Sequence, residues 1–283
     1  MTIATTMVIG AGQMGGGIAQ VMAAAGRRVF LSDSDPAATD HRLEFIAGLL
    51  AKDVAKGRID EAAKTATLAR LTPVTGLDQA AECDLVVEAI IENIEVKRAV
   101  FGELDAICPQ RTILASNTSS LPITQIAAAT ARPQKVIGMH FMNPVPVMKL
   151  VEVIRGLATA DETMATVRQE AIDLGKVPVE ARDVPGFVSN RVLMPLINEA
   201  VFALYEGVAS APDIDAVLCL GMNHPMGPLT LADFIGLDTC LYIMETLYEG
   251  FADSKYRPCP LLRQYVNAGW LGKKSGRGFY EYA

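Results

Sequence analysis

Apolar and polar positions fall in alternating blocks along most of this chain. Met7, Val8 and Ile9 form an apolar run that reads as a strand. A glycine-rich turn follows, then a helical stretch in which Ala19, Ala23, Ala24 and Ala25 suit close packing, with Gly26 as a left-handed stop. Val29, Phe30 and Leu31 make a second strand that ends at Asp33. From Pro36 to about Gly57, apolar residues recur at helical spacing (Leu43, Ile46, Leu49, Leu50, Val54), and a second helical piece runs from Asp60 to Leu71. A short strand is expected around Val74, and a continuous apolar run, LVVEAI, follows Asp84 as a buried parallel strand would. A helix through Phe101 and Leu104 leads to a strand over Thr112 to Ala115. The cluster SNTSSLP (Ser116 to Pro122) comes next, one of whose polar side chains is expected to cap a helix starting near Ile123.

Val136 and Ile137 predict a further strand running into His140, and Lys149 to Ile154 and Lys176 to Ala181 predict two more with a helix between them. Such alternation implies an α/β fold with a doubly wound, mainly parallel sheet. The pattern changes at Asp183, Val184, Pro185 and Gly186, beyond which no strong strand signal appears until the last few residues. We therefore expect a dinucleotide-binding domain over 1–184 and an all-α domain over 185–283. Helices are expected from Phe187 to Tyr205 (closed by Gly207), near Asp213 to Leu220 after a start at Ser210, from Leu229 to Tyr248, and from Pro260 to Val266. So many apolar faces suggest a helical domain that buries surface against a second copy or against the first domain.

The first turn carries chemistry. Gly10, Gly12 and Gly15 form G-x-G-x-x-G directly between a strand and a helix, the context a dinucleotide site requires. The first glycine allows the tight turn, the second lets a pyrophosphate approach, and the third lets helix press on strand. Asp33, 18 residues after Gly15, stands where a carboxylate accepts hydrogen bonds from the adenosine ribose, and it would repel a 2′-phosphate. NAD is thus expected over NADP. Glycine-rich loops are common, and the strand, helix and acid around this one are what lift it above that background.

A net charge of −7 argues against nucleic acid or an anionic membrane as general partners, so the cations that meet an anionic ligand must be local. Five widely spaced cysteines with no C-x-x-C pair indicate neither zinc nor a disulfide framework, and we expect a reducing, cytoplasmic setting. No basic segment precedes the apolar N-terminus and glycines interrupt it, so neither a signal peptide nor a membrane span is expected. The three histidines are His41 on a helical surface, His224 in a loop and His140 at a strand end. Only His140 stands where a base for a hydroxyl proton is needed, with Glu152 on the next strand to orient the ring. A structural histidine is the bland alternative, which the cofactor motif and the acid partner outweigh. Lys52 and Lys56, four apart, read by spacing alone as a solvated helical face.

GAGQMGGGIAQ (Gly10 to Gln20), VVEAIIEN (Val86 to Asn93), SNTSSLPIT (Ser116 to Thr124), GMHFMNPVPVMKLVEVI (Gly138 to Ile154), DVPGFVSNR (Asp183 to Arg191), NHPMGPLTLADFIGLD (Asn223 to Asp238) and GKKSGRGFY (Gly272 to Tyr280) resemble the L-3-hydroxyacyl-CoA dehydrogenases, nearest to the bacterial 3-hydroxybutyryl-CoA enzymes. The resemblance spans essentially the whole chain. It implies His140 as base, Glu152 as its partner, and Ser119 and Asn190 as holders of the substrate's C3 oxygen and thioester region. It implies NAD contacts from the turn (Gly10, Gly12, Gln13, Met14, Gly15) and from Asp33, Glu92, Lys97, Asn117, Ser119, Asn143 and Lys274. It also makes Lys52 and Lys56 candidates for the phosphates of a CoA thioester, and it implies no metal. A homodimer through the helical domain is expected. Two rival readings share the cofactor logic: a dehydrogenase of a free hydroxyacid, and an NAD-binding protein without catalysis.

Overall fold

A computed structural model describes residues 2–282. The chain divides between Asp183 and Val184 into two compact units. The first contains, in order, β1 (Thr5–Ile9), α1 (Gln13–Ala24), β2 (Arg28–Asp33), α2 (Pro36–Ala55), α3 (Glu61–Ala69), β3 (Leu71–Thr75), β4 (Leu85–Glu88), α4 (Ile94–Ile107), β5 (Ile113–Ser116), α5 (Ile123–Ala127), β6 (Val136–Phe141), β7 (Leu150–Arg155), α6 (Asp161–Asp173) and β8 (Val177–Arg182). The second contains α7 (Ser189–Tyr205), α8 (Ala211–Ala216), α9 (Pro228–Ile235), α10 (Leu237–Phe251) and α11 (Pro260–Asn267).

The eight strands form one sheet in the order β3-β2-β1-β4-β5-β6-β7-β8. Every neighbouring pair is parallel except β6 with β7. Strands β1, β4, β5 and β6 are buried along their described length apart from Thr5, which is why they read as unbroken apolar runs and not as alternation. In register, Ile9 lies beside Glu88, Glu88 beside Ser116, and Ser116 beside Gly138. The loops leaving these strands therefore open along one edge of the sheet, where an open α/β sheet binds its ligand. Helix α1 packs its small residues, among them Ala19 and Ala23, into the same core as Val8, Leu31 and Val87.

The helical unit has its own core, built on Met194, Ile197, Val201, Leu237, Met244 and Leu247. Ser210 caps α8 and Gly207 turns left-handed after α7, both as the sequence indicates. Two helical expectations change. The single helix expected from Leu229 to Tyr248 is broken into α9 and α10 at Gly236, whose φ of +102° no helical residue adopts. The helix near Asp213 to Leu220 stops at Ala216 and continues as a wider turn over Val217–Gly221.

A third correction concerns α5. No side chain of Ser116 to Ser120 caps it. Asp183, the last residue of the first unit, accepts from the amides of Ile123 at 2.9 Å and Thr124 at 2.7 Å. Pro122 precedes the helix and has no N–H to be capped, and the Thr118 hydroxyl is turned inward to accept from the Leu121 amide.

Candidate active site

The glycine-rich turn has the shape a dinucleotide needs. Gly10 has a φ of +101°, and a side chain there would press on the Ala89 carbonyl. A Cβ at Gly15 would overlap the Gly10 carbonyl oxygen, so only glycine lets α1 sit this close to β1. Around Gly12, by contrast, a Cβ would meet nothing within 4 Å, leaving the backbone open to a ligand. On one side of the turn lies a cavity of about 720 Å³ lined by Gly12, Gln13, Met14 and Asp33 with an apolar wall of Leu77, Ile91, Val96 and Val100. Asp33 reaches back into the turn, accepting from the Ala11 amide at 2.6 Å through one oxygen and from the Asp35 amide at 3.1 Å through the other. An open backbone cradle at a helix N-terminus, a carboxylate at the end of β2 and an apolar slot for a base are the features that NAD fits.

A second cavity, of about 850 Å³, lies on the other side of the turn. It is lined by Gly12, Gly16 and Gly17 of the turn and α1, by His41, Arg42 and Phe45 of α2, and by Asn143 to Pro146. Arg42 lays its stem over Gly16, where a Cβ would collide with it, and donates through Nε to the Ala11 carbonyl at 2.8 Å. His41 reads in the sequence as part of a helical surface, and nothing there marks Arg42, yet both line this cavity. The only advance signal was the bare Gly16 and Gly17 pair, which clears room for Arg42 and for Val145.

Glu88, Glu92 and Lys97 form a network behind the SNTSS loop. Lys97, 1% exposed, donates to Glu88 at 2.6 Å and pairs with Glu92 at 3.3 Å. One oxygen of Glu92 accepts from the Thr118 hydroxyl at 2.6 Å and from the Ser119 and Ser120 amides at 3.0 and 3.2 Å, with both serine hydroxyls near it. Burial works to raise the Glu92 pKa, but the Lys97 charge and the Thr118 and Ser119 hydrogen bonds outweigh it and hold the carboxyl below its ordinary range. Lys97 thus faces carboxylates and is absent from the lining of both cavities.

His140 and Glu152 are cross-strand partners in the antiparallel β6–β7 pair. Their side chains meet at 2.8 Å, His140 Nδ1 to Glu152 Oε2, with both residues buried. Asn117 accepts from the Phe141 amide at 2.9 Å and so ties the SNTSS loop to the His140 strand. Beyond the strand, Asn143 accepts from the Gln13 amide side chain at 3.0 Å, which joins the turn to the loop after β6. The first unit therefore gathers the turn, Asp33, Glu92, Lys97, Asn117, Ser119, His140, Asn143 and Glu152 along the carboxyl edge of the sheet. Lys52 and Lys56 are exposed at the C-terminal end of α2 and line neither cavity. In the second unit, Asn190 is buried in the first turn of α7, and exposed Lys274 pairs with Asp238 at 2.6 Å. Among the described residues no cluster of ligating side chains could hold a metal ion.

The chain is similar to known proteins along its full length. Residues 5–184 match the NAD binding domain of 3-hydroxyacyl-CoA dehydrogenase, and residues 186–282 match the C-terminal domain of the same enzyme. A probable 3-hydroxybutyryl-CoA dehydrogenase of Bacillus subtilis is 61% identical over 282 residues, covering 100% of this chain and 98% of that one. A 3-hydroxybutyryl-CoA dehydrogenase of Bradyrhizobium diazoefficiens is 55% identical over 275 residues, covering 97% of this chain and 94% of its own. The crystal structure of (S)-3-hydroxybutyryl-CoA dehydrogenase from Ralstonia eutropha superimposes with a TM-score of 0.97 at 48% identity, over 100% of both chains. With both units matched and relatives more than half identical from end to end, the chain belongs to the 3-hydroxyacyl-CoA dehydrogenase family.

Proposed function

We propose that this enzyme interconverts (S)-3-hydroxybutyryl-CoA and acetoacetyl-CoA, and that the buried His140–Glu152 pair at 2.8 Å is the observation that carries the chemistry. With Nδ1 held by the carboxylate, Nε2 is the ring nitrogen that meets the substrate, and it takes the 3-hydroxyl proton as the C3 hydride departs. NAD, when bound, supplies the hydride acceptor. Glu152 fixes the ring orientation and stabilises the imidazolium that results, as the acid of a catalytic triad does. In the reverse direction His140 returns the proton to the C3 oxygen.

Ser119 and Asn190 hold the C3 oxygen and thioester region, and Lys52 and Lys56, exposed one turn apart, meet the phosphates of CoA. Asn117, Asn143, Glu92 and Lys274 serve the cofactor. Large apolar side chains on the helical unit, including Leu220 at 88% and Val208 at 73% exposure, support a homodimer through that unit. No helix among the described residues is long and apolar enough to cross a membrane, and the five cysteines are free, which agrees with a reducing cytoplasmic location.

Reduction of acetoacetyl-CoA with NADH by purified H140A and E152Q tests the mechanism. We expect losses of about 10²–10⁴-fold in turnover, and near wild-type rates in H140A would overturn the assignment. Turnover of free acetoacetate at the rate of its CoA ester would favour the free-acid reading instead. For the cofactor, NADPH should serve far less well than NADH because Asp33 repels the 2′-phosphate, and equal rates at equal concentration would contradict this.

A further inference from the structure

Lys176, immediately before β8, is 8% exposed, and its ammonium meets carbonyls where a buried cation would ordinarily meet a carboxylate. It donates to the backbone oxygen of Val145 at 2.5 Å and to that of Met148 at 2.8 Å. Asp173, which lines the same small cavity, is taken by Arg27 at 3.0 Å. Burial, with no acid to oppose it, holds the Lys176 pKa below its ordinary value. Both carbonyls belong to the loop between β6 and β7, the loop in which Asn143 accepts from Gln13. Val145, 2% exposed, packs on α1, where a Cβ at Gly17 would stand 2.8 Å from the Val145 Cβ. The loop is thus tied to the glycine turn, to α1 and to the start of β8.

An ammonium buried without a counter-ion is a poor way to gain stability, because desolvation works against the charged form and an apolar side chain of similar length would fill the site without that cost. What it offers is several donors at one point, enough to gather carbonyls from one stretch of backbone. The Val147 and Met148 amides both donate to the Pro144 carbonyl at 3.0 Å, so residues 144–148 form one turn, and Lys176 closes on two further carbonyls of it. We infer that Lys176 is a positioning residue that fixes this turn and thereby places Asn143 for the cofactor. The inference rests on the proposed cofactor role of Asn143. Lys176 itself lines neither of the two larger cavities, so its effect on a ligand there passes through the turn.

K176M removes the donors and keeps the length of the side chain. We expect NADH binding, read by fluorescence, to weaken about tenfold, the worth of one misplaced hydrogen-bonding group, and N143A to lose about as much. In K176M/N143A the second change should cost at most about twofold, because both act through one side chain. A general loss of stability would instead weaken binding by the same factor with or without the Asn143 amide. Hydrogen exchange of the Val147 and Met148 amides reads the turn without any ligand and should quicken about tenfold in K176M.

Wild-type NADH affinity in K176M would overturn the inference, and so would equal losses from K176M in the presence and absence of the Asn143 side chain. Where K176M fails to fold, K176Q, which keeps one amide group to donate, takes its place in the same cycle. Unchanged exchange and affinity in K176Q would likewise overturn it. Wild-type affinity in N143A would instead overturn the cofactor role proposed for Asn143, and exchange at Val147 and Met148 would still decide whether Lys176 fixes the turn.

Discussion

At the scale of single residues, Glu92 shows how a charge is set by its neighbours. Its pKa is lower folded than unfolded because the Lys97 ammonium and the loop donors outweigh burial. Its contribution to stability is therefore present above the ordinary glutamate value of about 4.3. That contribution is lost as pH falls through the lower, folded value. Urea unfolding of wild type and E92Q should differ at neutral pH, and the difference should shrink as pH falls below the ordinary glutamate range; a constant difference would mean the charge is not what holds the loop. The cysteines make the opposite case. Burial pushes the Cys83 and Cys240 thiols up to about 12 and Cys108 up to about 11, so none carries thiolate at neutral pH. Only Cys219 is not fully buried. A thiol reagent added to the native protein should therefore modify one cysteine quickly and the other four only on unfolding, and fast modification of two or more would contradict the burial.

At the scale of elements, Asp183 permits a direct test of an unexpected cap. Truncation to alanine leaves the Ile123 and Thr124 amides without their acceptor and should cost about 0.5–2 kcal/mol in denaturant unfolding. Nothing near Ile123 in sequence announced this cap, because the capping residue is 60 positions away. The strands were legible for the reverse reason: burial on both faces leaves continuous apolar runs, as in Leu85–Val87, and these do not depend on distant partners for recognition. The glycine turn was legible because a φ of +101° at Gly10 restricts the residue type locally. The break at Gly236 was not, since an apolar helical period continues through it and only its φ of +102° separates α9 from α10. The His140–Glu152 pairing could be anticipated because both lie near the meeting ends of neighbouring strands. The Glu88–Lys97 pair could not be, since nothing in a strand pattern says that a glutamate in an apolar run has its cation nine positions on.

At the scale of the whole molecule, the division at Asp183 and Val184 separates two compact units. Each unit has its own core, so each is capable of its own unfolding transition. The glycine turn, Asp33 and the apolar slot beside them belong to the first unit. A ligand that binds only the folded form stabilises by about 2.7 kcal/mol at a hundred times its Kd. For a unit of this size that corresponds to a rise of roughly 5–10 °C in its melting temperature. The proposed dimer contact belongs to the second unit, and dissociation makes melting depend on protein concentration. Scanning calorimetry of the full chain should thus show two transitions: one raised by NADH and insensitive to tenfold dilution, the other lowered a few degrees by dilution and little moved by NADH. A second transition that ignores dilution, together with one chain mass by light scattering, would remove the dimer. A single transition that answers to both variables would mean instead that the boundary at Asp183 divides the contacts of the fold without dividing its cooperativity.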